Sequence, residues 1–411
     1  MHCTWRDRKL LILLATGSLI VMTGAVIAPI LPKMTEQLGL DPAIAGYLVS
    51  AHYLTVALFS PILGLLADRT GAPRVLIVSL LLYAVFGAMG GLLNDFALIL
   101  VTRALVGAAS GGIAAASLGM LVQRYESETA RSQAIAYVAT VLTLANIVYP
   151  ILAGLIGSWN WRWVFGLYGL AVPLALLVGV NWGGIGNRGS VGIDSADHDR
   201  GIPSPSLKTR PEYRGSRDSE KLVQVIGNLH MLQLYATQCL CAAIAHATII
   251  YLPLYLEATF STGTVLIGAV LACQGLGAAA IAAFGVRQLG QQLGLDRAAS
   301  AGLGIMAVSL TVVPQIPLLP LLFPTAILFG IGLGIVVPSL YNLMSNLAPS
   351  NLQATVLAIG VGTGFLGQFI APTLFGFIVN LQGIAMVFYG AAVLALILGL
   401  GAMVMGRRSG G

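Results

Sequence analysis

Acidic side chains are scarce in this chain. Of its 411 residues only 9% are charged, and none of the 15 Asp and Glu lies inside the twelve long apolar stretches that run between Leu10 and Met405. A soluble domain carries about 25% charged residues, so an ordinary soluble fold is excluded. The same scarcity argues against a membrane-embedded enzyme. The stretches hold no paired aspartates, no H-E-x-x-H and no acid to assist His52 or His246. No G-x-x-x-x-G-K-S/T sequence occurs, so nothing points to ATP as an energy source. Cysteine is also rare: Cys239, Cys241 and Cys273 lie in apolar stretches and Cys3 lies outside them. That leaves no external pair for a disulfide, and Cys239-x-Cys241 alone is not a metal site. No cofactor and no metal are expected.

What remains is overwhelmingly apolar, with 57% hydrophobic residues. The stretches cover 10–31, 44–66, 74–93, 96–122, 133–157, 163–183, 230–256, 264–286, 298–316, 318–345, 353–380 and 384–405. Each is continuously apolar and far longer than the roughly 11 residues of a barrel strand, which predicts twelve transmembrane helices. The first run is too long for the apolar core of a cleavable signal and continues into Pro29 and Pro32, so it is expected to be retained.

The net charge of +6 does not indicate nucleic acid, because the basic residues are sorted by side. With the N-terminus in the cytoplasm, only Lys33 and Arg162 fall in external loops and only Arg103 in a span; every other Lys and Arg is cytoplasmic. This asymmetry predicts a multi-pass protein of a bacterial inner membrane with both termini cytoplasmic. Trp159, Trp161 and Trp163 then fall at the outer interface.

Residues 184–222 break the apolar pattern with seven basic and six acidic side chains among Gly, Ser and Pro. They read as a polar cytoplasmic linker. The chain therefore divides into an N-terminal six-helix bundle, 1–183, this linker, and a C-terminal six-helix bundle, 223–411. The two halves echo each other at an offset near 222. Pro32-x-x-x-Glu36 matches Pro253-x-x-x-Glu257. Asn146-x-x-x-Pro150-x-x-x-Gly154 matches Gln368-x-x-x-Pro372-x-x-x-Gly376. Gly107 and Gly111 match Gly330 and Gly334. Parallel six-helix repeats predict a pseudo-twofold axis along the membrane normal, with a substrate site between the halves.

Polar groups inside a bilayer face protein or water. Spans 3, 6, 9 and 12 carry few, and are expected to be outermost. The others carry His52, Arg103, Asn146, Tyr149, Gln238, His246, Gln274, Tyr341, Asn342 and Gln368. Among these, Arg103, His52, His246, Asn146, Tyr149, Gln274, Tyr341 and Gln368 are the candidates for substrate binding or coupling. Arg103 is the one permanent charge in the spans, so it is expected to face the cavity, where water, Asn146 or an anionic substrate could satisfy its donors. The competing reading is a packing brace that bonds backbone carbonyls. For the histidines and amides the alternative is an interhelical hydrogen bond.

Gly64-Leu-Leu-Ala-Asp68-Arg69-Thr-Gly71-Ala-Pro-Arg74 occupies the short turn between spans 2 and 3. The pattern G-x-x-x-D-R-x-G-x-x-R in that position resembles the signature loop of the major facilitator superfamily. The resemblance extends over all twelve spans. Arg103-x-x-x-Gly107 is similar to that family's buried arginine motif. Gly24-Ala-Val-Ile-Ala-Pro29-Ile-Leu-Pro32 and Trp161-Arg162-Trp163-Val-Phe165 are similar to segments of its drug-efflux branch. In span 5, Tyr149-Pro150-Ile-Leu-Ala-Gly154 stands where export members tend to carry Gly-Pro. The resemblance implies an all-α, twelve-helix fold and alternating access. It also implies a gating loop made of Gly64, Asp68, Arg69, Gly71 and Arg74 that docks on span 11 when the cytoplasmic side closes.

The expected function is secondary active transport of small amphipathic molecules, as efflux, with exchange for protons left open. The alternative is a metabolite transporter for an organic anion or a sugar. The expected partners are a small-molecule substrate and the lipid bilayer, with protons as an open case, and no nucleic acid; a monomer is expected.

Overall fold

In a computed structural model, the described residues are 7–125, 127–182, 225, 227–284, 292–350 and 352–409. The expected linker 184–222 lies outside them. Twelve helices are long and apolar enough to cross a membrane. They are α1 (Arg8–Gln37), α2 (Pro42–Thr70), α3 (Ala72–Met89), α4 (Phe96–Arg124), α5 (Thr129–Trp159), α6 (Trp161–Trp182), α7 (Leu229–Phe260), α8 (Thr264–Ile281), α9 (Leu295–Gln315), α10 (Leu319–Leu347), α11 (Gln353–Gln382) and α12 (Ile384–Val404). No strand occurs among the described residues.

The caps follow simple chemistry. Asp7, Asp41, Asp95, Ser127, Asn160 and Asn228 each accept a hydrogen bond from a backbone N–H in the first turn of the helix they precede, which satisfies an otherwise orphaned donor. Gly71 ends α2 at a φ of +99°, in the region that favours glycine, and so permits the tight turn into α3.

Helix α1 is not continuous. Regular α-helix stops at Ala25, and Ala28–Ile30 forms a 3-10 turn around Pro29. There the Ile27 N–H bonds the Gly24 carbonyl at 3.3 Å and leaves the Thr23 carbonyl without its usual helical donor. Helix α7, its counterpart, runs unbroken through Pro253.

The packing repeats with the register expected from the sequence. Gly46 of the first half meets Pro372, and Gly268 of the second meets Pro150. Gly107 lies on the His52 backbone, and Gly330 on the Gln274 backbone. Gly111 abuts Val56 and Ser60, and Gly334 abuts Ala278. Each pairing is its partner's equivalent at the same offset. Small residues at these crossings let backbones touch, which is how helices associate where no hydrophobic drive exists between them. The main inter-half seams are α2 against α11 and α5 against α8, again a symmetric pair. The principal contacts of α3, α6, α9 and α12 stay within their own halves, while α1, α4 and α7 are the most enclosed.

One expectation needs correction here. Trp159 and Trp163 are exposed, but Trp161 is buried, and its indole N–H donates to Gln37 at 2.6 Å. The ten-residue 3-10 start of α6 turns Trp161, Val164, Phe165 and Tyr168 onto one inward face.

At the end that carries the N-terminus, Asp7 accepts two hydrogen bonds from Arg124, both at 2.9 Å, and one from Tyr125 at 3.1 Å. Partial burial pushes the Asp7 carboxyl upward, but Arg124 and Tyr125 outweigh it and hold it below its ordinary value. A depressed carboxyl adds stability above the unfolded value of about 3.9, and that stability is lost as pH falls through the folded value. The difference in melting temperature between wild type and Asp7→Asn should therefore be present at neutral pH and shrink below about pH 4. A constant difference down to acid pH would count against the pair.

A methyl group at Gly107 or Gly330 has no room, because each faces backbone of a neighbouring helix, whereas nothing approaches Gly17. Gly107→Ala and Gly330→Ala should each destabilise by about 1–3 kcal/mol, read as lower melting temperatures in detergent. Gly17→Ala should melt like the wild type.

Candidate functional site

The contacts that join the halves lie toward the face carrying the α1–α2, α5–α6, α7–α8 and α11–α12 turns. The Tyr47 hydroxyl hydrogen-bonds that of Thr373, and the Thr264 hydroxyl donates to the Gly154 carbonyl at 2.8 Å. Tyr47 also meets Phe369, with ring centroids 6.4 Å apart. Deeper in the seam, Tyr53 of α2 reaches His246 of α7 and Phe365 of α11. Toward the face of the N-terminus the flanking helices show their sides: Leu58, Phe59, Ile62, Leu65 and Leu66 of α2 and Ile135 of α5 are exposed. The molecule is thus shut at one face and parted at the other.

The structure brings some of the expected residues together and separates others. His52 and His246 sit on either side of Tyr53, each 1% exposed. Tyr341 of α10 accepts a long hydrogen bond, 3.4 Å, from the Gln238 amide of α7, and the carbonyl oxygens of Gln238 and Gln368 are buried without a partner. These groups give the interior a neutral polar lining of amides, hydroxyls and imidazoles. Tyr149 ties α5 to α1 through the Ser18 hydroxyl at 2.8 Å. Asn146 is exposed, and its amide donates to the Leu142 carbonyl of its own helix.

Gln274 does not point into the space between the halves. It lines a small crevice inside the second half with Thr248, Ser309, Thr325, Ala326, Phe329 and Phe388. The reason is register: Gly275, the next residue, faces α5 and leaves Gln274 turned into its own half.

Arg103 departs most from expectation. It is fully buried, and its guanidinium faces α3 and α6 rather than Asn146 and the cavity. One terminal nitrogen donates to the Tyr168 hydroxyl at 2.7 Å and the other to the Gly87 carbonyl at 3.4 Å. The carbon at the centre of the fork lies 5.0 Å from the ring centres of both Phe165 and Tyr168. Cation–π contacts of this kind are worth about 2 kcal/mol when desolvated, and they take the place of the missing acid. Gly87 and Gly90 leave the space that Tyr168, Phe165 and the guanidinium occupy. The Tyr168 hydroxyl then donates to the Thr23 carbonyl at 3.0 Å, the one freed by the break in α1. Tyr83 donates to the Leu19 carbonyl at 2.7 Å, and the Thr23 hydroxyl lies within hydrogen-bond reach of Tyr83 and Ser110. In this conformation Arg103 braces the broken helix.

The gating-loop residues Asp68 and Arg69 are exposed, and Asp68 has no described partner. Gly64 approaches Ala115 of α4.

Comparison with known proteins gives this geometry a lineage. The family model described as Major Facilitator Superfamily matches residues 13–359 and 234–410. The chain belongs to the major facilitator superfamily. That family is one of membrane transporters, and the twelve spans make this chain a multi-pass membrane protein of it. Among curated relatives, the chain is 27% identical over 172 residues to the multidrug export protein EmrB of Haemophilus influenzae, covering 41% of this chain and 33% of that protein. It is 26% identical over 160 residues to the bacillibactin exporter of Bacillus subtilis, covering 37% of this chain and 40% of the relative. It is 24% identical over 174 residues to the quinolone resistance protein NorA of Staphylococcus aureus, 42% of this chain and 45% of the other. The matches span less than half the length of these relatives. The fold is shared more widely. A bacterial homologue of the human lysosomal transporter Spinster, solved inward-facing and unoccupied, superposes with a TM-score of 0.78 at 14% identity, over 98% of this chain and 97% of that one. The nucleoside transporter NupG gives 0.75 at 14% identity, over 97% and 99%.

Sequence reasoning passed over Tyr53, Thr23, Phe365 and Tyr168 as site residues. The usable signal for Tyr53 was its place beside His52 in a cavity helix. For Tyr168 no local signal exists, since its partner Thr23 lies 145 residues away.

The brace predicts that Tyr168→Phe removes the hydrogen bonds to Arg103 and Thr23 together. The freed carbonyl should cost about 1–3 kcal/mol, seen as a lower melting temperature. Arg103→Lys keeps the charge but loses the planar fork and should melt below the wild type as well. If both variants melt normally, Arg103 is not a brace.

Proposed function

We propose that this transporter exports small amphipathic molecules, uncharged or weakly ionised, across a bacterial inner membrane by alternating access. The two bundles, 1–183 and 223–411, rock about the substrate path while 184–222 tethers them. With both termini cytoplasmic, as the distribution of basic residues implies, the parted face opens inward and the conformation is ready to load from the cytoplasm or the inner leaflet. The observation that carries the substrate class is the neutral lining. Gln238, Gln368 and Tyr341 supply hydrogen-bond donors and acceptors, and no Asp or Glu lies inside any expected span to hold a strong cation. Gln238 and Gln368 in particular offer unpartnered carbonyls to a donor-bearing substrate. Asn146 and Tyr149 of α5 remain candidates for substrate contact. The drug and siderophore exporters among the relatives support the outward direction. An organic anion is the weaker reading, because Arg103 turns its charge toward α3 and α6.

The test is transport in proteoliposomes of a neutral lipophilic dye and of a permanent monocation of similar size. The neutral dye should move and the cation should not. Equal transport of the cation, or transport of neither, would overturn the substrate class. Asp68→Asn offers a separate check on the gating loop. The carboxylate is proposed to favour closure of the parted face against the start of α11, and its loss costs about 1 kcal/mol. It should shift the population several-fold toward the conformation described here. An unchanged distribution of distances across that face would rule the loop out as a gate.

A further inference from the structure

Two imidazoles are left over by the rest of the structure. His52 and His246 belong to opposite halves, and all four of their ring nitrogens are buried without a hydrogen-bond partner. Buried polar side chains are nearly always partnered, so four open nitrogens at one seam require a cause. A neutral imidazole has one N–H and one lone pair; the His52 ring comes near the Val49 carbonyl of its own helix but outside hydrogen-bond geometry, and His246 makes no such approach. Between them stands Tyr53. Its ring centre is 3.9 Å from that of His52 and 5.0 Å, edge to face, from that of His246; on α11 it stacks with Phe365 at 5.9 Å. Its hydroxyl lies against Gly24, just before the break in α1. Four helices from two halves therefore close on one aromatic wedge flanked by two titratable rings.

We infer that His52 and His246 form a proton-binding lock on this seam: both rings are neutral while the halves are shut around Tyr53, and a ring takes up a proton when they part. The inference rests on the alternating-access reading above. The charged and titratable groups facing the pair are each ring for the other, Tyr53 between them, and Arg103 from α4, with Tyr168 of α6 behind Tyr53. Helix α1 presents Gly24 and α11 presents Phe365, neither of which titrates. No carboxylate pairs with either imidazole among the described residues. An imidazolium at His52 in the shut seam would therefore meet the fixed positive charge of Arg103 and the second ring, with no carboxylate described beside it and both rings only 1% exposed. When the halves separate, water reaches the nitrogens. A proton passes from that water to a ring lone pair, and it must return to water before the seam can close. A ligand that binds one state shifts the population toward that state. Acid thus favours the parted seam and neutral pH the shut one. The proton is not carried through the shut conformation, so the pair acts as a valve and not as the carrier of exchanged protons.

The test reads the conformation directly and needs no substrate. Leu92 and Leu318 lie on turns of opposite halves at the shut face and are 81% and 62% exposed. Spin labels coupled to a ketone-bearing unnatural amino acid at these two positions report their separation in nanodiscs. In the otherwise wild-type chain, the long-distance population should rise about tenfold relative to the short one between about pH 8 and pH 5, with a midpoint in the imidazole range. His52→Gln with His246→Gln should abolish that rise, and so should His52→Phe with His246→Phe, which keeps the seam packed should the glutamine pair misfold. A wild type without a pH response, or a double variant that keeps it, overturns the lock. Failure of the dye assay would leave this readout intact, so the two proposals can fail separately.

Discussion

The Thr23 carbonyl is the pivot of the first half. A helix in hydrocarbon must satisfy its own backbone, because an unpaired group there costs several kcal/mol. Pro29 and the 3-10 turn of α1 break that rule at one point. The Tyr168 hydroxyl repairs it, and Arg103 holds Tyr168 in place. Much else follows from this repair. Gly87 and Gly90 must be small, Phe165 must stack on the guanidinium, and α6 must begin as a 3-10 helix to turn both rings inward. The buried cation is neutralised by ring faces and dipoles, which is why no acid accompanies it.

The fold was legible in the sequence because hydrocarbon imposes a simple code. Twelve continuous apolar runs have one reading, and proline–glycine spacings repeated at a constant offset reveal the duplication. Pro150 and Pro372 could be placed as mates because each meets a glycine at the equivalent crossing. The site was legible only as a set of residue types. His52 and His246 could be singled out, since polar groups in spans are rare, but nothing local shows that Tyr53 would stand between them. Arg103 was misplaced for a physical reason. A charge in a span was assumed to need water or an acid, whereas here two aromatic rings and two oxygens hold its terminal nitrogens and leave the Nε without a protein partner. Direction of a side chain around its helix depends on which neighbour arrives there, and those neighbours are up to 145 residues away. Gln274 failed for the same reason: its helix carries the glycine, not the glutamine, on the face that meets the other half.

The duplication is complete in outline and incomplete in chemistry. Where the first half has Arg103, the repeat offset places Ala326, and the space beside it survives as the crevice lined by Gln274, Thr325 and Phe388. In the second half α7 stays helical through Pro253, which leaves only the Ile249 carbonyl without its helical donor and makes no 3-10 break like that of α1.

The two seams between the halves share one glycine contact, Gly154 on the Thr264 main chain and Gly376 on the Ala43 main chain, and differ in what surrounds it. At α5–α8, Gly154, Gly268 and Gly275 set main chain against main chain. At α2–α11 and α7, side chains such as Tyr47, Tyr53 and Phe369 fill the joint. Main chain in such contact has little slack, and a small slide breaks it or does not. Interlocked rings can rotate and withdraw one at a time. In the alternating-access motion proposed above, the glycine-rich edge would serve as the hinge pin and the aromatic edge as the swinging leaf.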